Sequence, residues 1–116
     1  MSLTRPTLVF ISMPMHGKSR DGIERERKLI TDDLPGLLGV DSVEEIPSFF
    51  PEKTIRTMHP LYCLGMSIQL LAAADYAVFA EGWEEARGCR IEHECALQYG
   101  IPIVDLSNGQ NERSLG

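Results

Sequence analysis

The sequence contains no apolar run that approaches the roughly 20 residues needed for a membrane-spanning helix. Its first residues, MSLTRPTLVF, also lack the apolar core and cleavage site of a signal peptide, so we predict a cytoplasmic protein. Basic residues are outnumbered, since 11 Lys and Arg face 17 Asp and Glu for a net charge of −6. This balance argues against binding to a nucleic acid polymer, because phosphate contacts need clustered cations. A single small anion stays compatible with it, because a few backbone N–H groups can hold one.

Cysteine is scarce, and its spacing shows no pairs. Cys63, Cys89 and Cys95 form an odd set without a C-x-x-C motif, which argues against a disulfide framework and against a zinc site. Cys95 is expected to be a small core residue. The chain has 116 residues, of which 43% are hydrophobic and 24% charged. We therefore predict one globular domain over residues 1–116, with a single core.

Apolar, strand-like segments alternate with helical segments along the chain. Strands are predicted at 7–13, 43–46, 75–82 and 101–107, and helices at 19–34, 61–74 and 90–99. Ser19 is the expected cap of the first helix, and Pro35 and Gly36 are expected to end it. Residues 47–60 hold three prolines and are predicted to be loop, and the polar tail 107–116 is predicted to be mobile. The alternation predicts an α/β fold in which helices cover both faces of a parallel sheet.

Five glutamates lie in the segment EGWEEARGCRIEHECALQY, which spans residues 81–99. The segment follows a predicted strand, and parallel α/β sheets bind ligands outside the carboxyl ends of their strands. One face of a helix numbered from Arg90 is expected to meet the core, and its members are Glu92, Cys95, Ala96 and Tyr99, with Ile91 beside them. His93 and Glu94 are expected to lean towards solvent. Glu92 is therefore the one glutamate that the helical spacing puts on an apolar face.

Two interpretations of Glu92 follow from its place near the start of a helix. An acid in the first turn can cap its own helix and interact with the positive end of the helix dipole. Alternatively, a carboxylate on an apolar face has a partner or a role. A buried, ionised and oriented carboxylate is what a glycosyl-transferring nucleophile requires. The spacing leaves both interpretations open.

The segment GCRIEHECALQYGIPIV resembles the signature of the nucleoside 2-deoxyribosyltransferase superfamily, in which Gly-x-x-x-Glu opens a helix that ends in Gly-x-Pro-Val. The matching positions are Gly88, Glu92, Ala96, Gly100, Pro102 and Val104. FISMPM resembles the first strand of the family with its proline-containing loop, and AADYAVFAEG resembles the strand that begins with an Ala-Asp pair. The resemblance covers roughly two-thirds of the chain and is closest to a small uncharacterised phage and bacterial branch of that superfamily.

The resemblance implies a flavodoxin-like three-layer sandwich with a small parallel sheet of four to five strands. It implies transfer of a 2-deoxyribosyl group between nucleobases through a covalent ester on Glu92, without a metal or a cofactor. It puts Asp75 in the position of an acid near the base, although an aspartate at a strand start is structural at least as often. It also implies a homodimer or higher homo-oligomer, in which Asn108 and Asn111 could reach a partner's pocket.

The loop PMHGKS, between the first strand and the first helix, has a composition that suits a phosphate group. It combines a flexible glycine, N–H donors, a hydroxyl and a cation, and it is similar to the loop of nucleoside 5′-monophosphate glycosidases. The alternative is a plain strand–helix turn with a serine cap. Trp83 either stacks on a nucleobase or closes the core over the strand end. The candidate substrate-binding residues are Ser12, Met13, Pro14, His16, Gly17, Lys18, Ser19, Asp75, Gly82, Trp83 and Gly88.

We thus predict an enzyme that acts on the N-glycosidic bond of a nucleoside or nucleoside 5′-monophosphate, by transfer or by hydrolysis, with Glu92 as the nucleophile. The alternative is a nucleotide-binding module of the same fold without activity. The sequence departs from the family at three positions, where Phe10 stands in place of a tyrosine, Met13 in place of a glycine and Ala86 in place of an acid. Phe10 and Ala86 are the two departures that favour the binding module. A third interpretation makes the acidic segment a solvated dimer edge.

Overall fold

The computed structural model describes residues 5–107. Its elements follow in the order β1 (Thr7–Ser12), α1 (Arg20–Leu38), β2 (Val43–Glu45), α2 (Glu52–Thr57), α3 (Pro60–Leu71), β3 (Tyr76–Phe79), a 3-10 turn (Trp83–Glu85), α4 (Arg87–Gln98) and β4 (Ile103–Asp105). The strands form one parallel sheet in the order β2-β1-β3-β4. The predicted α/β class and flavodoxin-like three-layer sandwich are confirmed, with four strands in the described part of the chain.

The two faces of β1 meet different helices, because side chains alternate along a strand. Ile11 is buried in one cluster with Leu34 of α1. Phe10 points to the opposite face and is buried in a second cluster with Ala96 of α4. By the same alternation, Ser12 lies on the Phe10 face, towards α4.

The central strands β1 and β3 end at the same level of the sheet. Their register pairs Ser12 with Phe79, the last residue of each strand. The backbone N–H of Ala80 then donates to the Ser12 carbonyl at 2.9 Å, which extends the ladder by one bond. The loops that follow β1 and β3 therefore leave the sheet side by side.

Helix α1 is longer than predicted. Ser19 caps it as expected, since its hydroxyl oxygen accepts the Gly22 N–H at 3.0 Å. The helix does not end at Leu34, however, but runs through Pro35 to Leu38. It ends at Gly39, whose left-handed conformation lets its N–H donate to the Pro35 carbonyl. Burial of Leu34 and packing of Leu38 against the same cluster offset the hydrogen bond that Pro35 removes.

The prediction of loop over residues 47–60 is wrong in part, because α2 forms there. Two of the prolines sit where a helix tolerates them: Pro51 precedes the first residue of α2, and Pro60 is the first residue of α3. Proline is favoured at such positions, since the first N–H groups of a helix have no partner within it. These prolines therefore mark the starts of two helices.

The prediction of a mobile tail concerns residues 107–116, and all of them except Ser107 lie outside the described residues. The same holds for Asn108 and Asn111. Within residues 5–107, no helix is both long and apolar enough to cross a membrane.

Candidate active site

A cavity of about 660 Å³ opens at the carboxyl edge of the sheet. Its walls come from the end of β1 and the loop after it, the segment before and within α2, the first half of α3, and the N-terminal half of α4. The volume lies within the range of small-molecule sites in proteins, and most of the wall is apolar. Glu92 is one of the few polar groups that face it.

Glu92 is buried because of its position on α4. The buried stripe of the helix runs through Cys89, Glu92 and Ala96, with spacings of three and four residues. Only 8% of Glu92 is exposed. The predicted burial of this glutamate is therefore confirmed.

Two neighbours of that stripe were predicted wrongly. Tyr99 is 83% exposed, and Ile91 is 38% exposed. The helix begins at Arg87, three residues before the predicted start, and ends at Gln98, so Tyr99 lies beyond its last turn. Cys95 is half-buried and packs against the core, in keeping with its predicted role.

The carboxylate of Glu92 has a defined partner. The Ser12 hydroxyl donates to Glu92 Oε1 at 2.6 Å, and both side chains are buried. This short hydrogen bond joins residues 80 positions apart in the chain. The interpretation of Glu92 as a cap of its own helix is wrong, because it lies in the second turn of α4, whose cap residue is Ala86. Glu92 is instead an oriented carboxylate in a cavity wall.

Opposing effects act on the proton affinity of Glu92. Burial raises its pKa above that of an ordinary glutamate. Hydrogen bonds from Ser12 and Ser67 and the positive charge of Arg27 act in the other direction, and they only partly offset the effect of burial. The pKa of Glu92 thus lies above that of a solvated glutamate.

Glu92→Gln is expected to raise the free energy of unfolding by about 1 kcal/mol at neutral pH. Because burial raises the pKa of Glu92, the native state binds a proton more readily than the unfolded chain does. The wild type therefore loses stability as the pH rises through the folded-state pKa, whereas glutamine does not titrate. Thermal unfolding measured at several pH values should show the advantage of the variant shrinking towards acidic pH. A difference that is constant with pH would contradict the raised pKa.

Of the predicted substrate-binding residues, Ser12, Met13, Pro14 and Gly88 line the cavity together with Glu92. The four residues from His16 to Ser19 are exposed and are not part of its wall. Lys18 forms an ion pair with Glu26 at 3.1 Å, and Ser19 caps α1. The contacts of these two residues agree with the interpretation of the loop as a plain strand–helix turn with a serine cap.

Trp83 packs within the protein and does not line the cavity. Its ring stacks on His93 at a centroid distance of 4.0 Å, and its Nε1–H donates to Asp105 at 3.1 Å. The His93 ring also meets the edge of Phe79 at 4.8 Å. His93 is thus half-buried in an aromatic cluster, and the prediction that it leans towards solvent is wrong. The spacing pattern missed it because the partners of His93 come from β3 and the turn after it.

Asp75 lies at the amino edge of β3, away from the cavity. Its carboxylate accepts the Leu8 N–H at 2.8 Å and pairs with Arg5. The hydrogen bond from Leu8, followed by the Arg5 guanidinium, lowers the pKa of Asp75. These contacts match the structural interpretation, in which Asp75 ties the start of β1 to that of β3.

Gly82 positions the turn after β3 against the loop after β1. Its φ is 89°, a left-handed conformation that favours glycine, and an added Cβ would lie 3.3 Å from Pro14 Cγ. Gly82→Ala is therefore expected to lower the free energy of unfolding by about 1–2 kcal/mol in thermal or urea denaturation. Gly36→Ala is the matched control, because Gly36 lies inside α1 with no atom within 4 Å of the added Cβ. We expect that variant to gain about 0.4–1 kcal/mol, and equal losses in both would contradict the strain at Gly82.

Several cavity residues were missed from the sequence. Ser67 is a lone serine in the apolar helix α3 and lines the cavity. A single hydroxyl among apolar residues could have indicated a polar contact at this position. His59 caps α3, since its Nδ1 accepts the Leu61 N–H at 3.0 Å. Ser48 belongs to the segment 47–60, which offered no readable pattern. Among residues 5–107, no group of three or more His, Cys, Asp or Glu side chains could hold a metal ion.

The fold and this cavity define a class: a small flavodoxin-like α/β protein with an oriented carboxylate in a pocket at the carboxyl edge of its sheet. Residues 8–105 match the model of the family described as "Domain of unknown function (DUF4406)", and the chain belongs to that family. The match runs from β1 to β4 and includes Ser12 and Glu92. Searches of curated proteins and of solved structures gave no match.

Proposed function

We propose that this protein is an enzyme acting on the N-glycosidic bond of nucleosides or nucleoside 5′-monophosphates, with Glu92 as the nucleophile. The observation that carries the proposal is the 2.6 Å hydrogen bond from the Ser12 hydroxyl to the buried Glu92 carboxylate in the cavity wall. Such a bond orients the carboxylate within the cavity wall, where a substrate would meet it. The resemblance to nucleoside 2-deoxyribosyltransferases supports the same assignment of Glu92.

The chemistry follows from a carboxylate held against a sugar ring. A Glu92 oxygen attacks C1′ and forms a glycosyl ester, while the bond from C1′ to the base nitrogen breaks and its electron pair leaves with the base. The departing base takes up a proton from a donor in the site or from water. In the second step a new base or a water molecule attacks C1′ and gives up its N–H or O–H proton to the group that protonated the first base or to water, and the ester bond breaks to restore the carboxylate. The reactive form is the carboxylate, so activity should fall on acidification through the raised pKa of Glu92.

The cavity has room for a nucleoside. Its volume of about 660 Å³ and its apolar side chains, among them Met13, Phe50 and Leu64, suit a planar base. Arg87, at the start of α4, is a cation in its wall that a 5′-phosphate would contact. We propose further that the chain works in the cytoplasm. We also propose that it forms a homodimer or larger homo-oligomer, because Leu61, Tyr62 and Ile91 expose apolar side chains near the cavity.

A nucleotide-binding module without activity is the second candidate. Phe10 stands in the cavity wall where related enzymes carry a tyrosine, and it brings no hydroxyl to the reacting centre. In such a module the buried Glu92 would recognise a ligand by accepting hydrogen bonds. It would not attack the sugar.

One chromatographic assay tests the proposal and separates it from the alternative. The purified protein is incubated with ribo- and deoxyribonucleosides and their 5′-monophosphates, with and without a free acceptor base, beside Glu92→Ala. Release of base by the wild type alone indicates hydrolysis, and exchange of base indicates transfer. Preference for the monophosphates would point to a phosphate subsite. Ligand binding measured by calorimetry without turnover of any donor would favour the binding module and contradict the enzyme.

A further inference from the structure

Arg27 is a buried cation on the core-facing side of α1. It continues the stripe of Ile23, Ile30 and Leu34, where apolar residues are the rule, and only 4% of it is exposed. Burying a guanidinium is costly unless its charge and its N–H groups are satisfied. An arginine at this position therefore calls for an explanation in terms of its partners.

The partners of Arg27 lie at the carboxyl edge of the sheet. Its Nε donates to Glu45 Oε2 at 2.6 Å, which pairs the charge with a half-buried carboxylate at the end of β2. Its Nη2 donates to the Ser48 hydroxyl at 2.7 Å and to the Ile11 carbonyl at 3.2 Å. Its Nη1 is buried with no hydrogen-bond partner among residues 5–107. The guanidinium thus fastens β1 to the segment after β2, and both Ile11 and Ser48 are part of the cavity wall.

The bond to Ile11 acts directly on Ser12. The Ile11 carbonyl belongs to the peptide group that ends at the Ser12 nitrogen, and the Ser12 carbonyl accepts the Ala80 N–H at 2.9 Å. Hydrogen bonds therefore hold the peptide planes on both sides of the Ser12 α-carbon. These bonds fix the backbone that carries the Ser12 side chain, whose hydroxyl donates to Glu92 at 2.6 Å.

We propose that Arg27 is a positioning residue for the Ser12–Glu92 pair. It fixes the end of β1 that carries Ser12. Its charge, partly neutralised by Glu45, is the counter-charge of the Glu92 carboxylate. The role rests on the proposed function insofar as it serves a reaction at Glu92. The arrangement itself concerns only the protein's own groups. It can therefore be tested without a substrate.

The charges around Glu92 support this assignment. Arg27 is the cation that lowers the pKa of Glu92 against the effect of burial. The Cys89 thiol on α4 stays protonated, since burial raises its pKa. The other polar residues that line the cavity with Glu92 come from β1, from the segment after β2, from α3 and its cap, and from the start of α4; they are Ser12, Ser48, His59, Ser67 and Arg87.

The experiment is an NMR titration of the Glu92 side-chain carboxyl carbon in the wild type, Arg27→Met, Arg27→Lys and Glu45→Gln, with amide spectra as a check on the fold. Removing the positive charge in Arg27→Met should raise the Glu92 pKa above that of the wild type. Removing the negative charge in Glu45→Gln should lower it, because Arg27 is then no longer neutralised. Shifts of opposite sign cannot come from a general loosening of the protein.

Arg27→Lys keeps the charge but loses the planar fork that reaches three partners. In this variant, the pKa of Glu92 should stay nearer to its value in the wild type than to its value in Arg27→Met. If base release is observed, its kcat should fall by roughly 10- to 100-fold with a smaller change in KM. If Arg27→Met does not fold, the other two variants decide. A Glu92 titration that is unchanged in Glu45→Gln, or that moves upward there, overturns the proposal. Because the titration needs no substrate, its outcome is independent of the assay of glycosidic activity. A protein that releases no base can still show the expected shifts in the Glu92 pKa.

Discussion

Glu92→Gln is expected to lower the rate of base release or exchange by about 10⁴-fold or more while the protein keeps its fold. Glutamine has nearly the same shape, and its carbonyl oxygen can still accept the Ser12 hydroxyl. It cannot form an ester at C1′, so the reaction loses its covalent route. The rate of base formation, followed by chromatography on the best donor found for the wild type, measures the effect.

Glu94→Gln is the matched control for that variant. Glu94 lies two residues along the same helix, but it is exposed, and its contact is a hydrogen bond from Gln98 at 2.7 Å. Its replacement should leave the rate within about a factor of two, as expected for a surface position. Mass spectrometry of a quenched wild-type reaction should in addition find a glycosyl adduct on the peptide that contains Glu92. Full activity in Glu92→Gln would exclude that residue as the nucleophile.

Phe79→Ala is expected to cost about 3–5 kcal/mol of unfolding free energy, the largest effect on stability that we foresee. Phe79 is fully buried at the end of β3, and it packs against both Trp83 and His93. Removing its ring leaves a cavity under that aromatic pair and frees the turn that leads into α4. Urea unfolding followed by circular dichroism measures the loss.

Leu97→Ala is the comparison for Phe79→Ala. It also shortens a large apolar side chain, but Leu97 is on the outer face of α4 and 59% exposed. We expect a change within about 0.5 kcal/mol. Similar losses in the two variants would mean that the aromatic cluster does not anchor α4 as the contacts of Phe79 suggest.

Much of the fold could be predicted from local sequence patterns. The alternation in β1 and the stripe on α4 are read from neighbouring residues, so the strands, most of the helices and the burial of Glu92 could be predicted. The errors lie where a boundary depends on tertiary packing. Leu38 keeps α1 going past Pro35, and the exposure of Tyr99 follows from where α4 ends.

The candidate site was predictable only in part, because its contacts join distant segments. Glu92 and Ser12 could each be named from a motif, but the hydrogen bond between them depends on how α4 packs on the sheet. Arg27 shows the same limit. A charged residue within an apolar stripe is a visible signal, yet its meaning depends on Glu45 and Ser48, which a helical pattern cannot place.

The two edge strands of the sheet bear on whether copies of the protein can pair through their sheets. β2 and β4 have three residues each, whereas the central β1 has six. Short margins present few open N–H and C=O groups, and the exposed Glu44 adds a charge on one of them. Edge-to-edge pairing of strands from two copies thus has few backbone groups to start from. The homo-oligomer proposed above is therefore expected to use exposed side chains on the helices, such as Leu61 and Tyr62, which can be replaced one at a time without disturbing the strands.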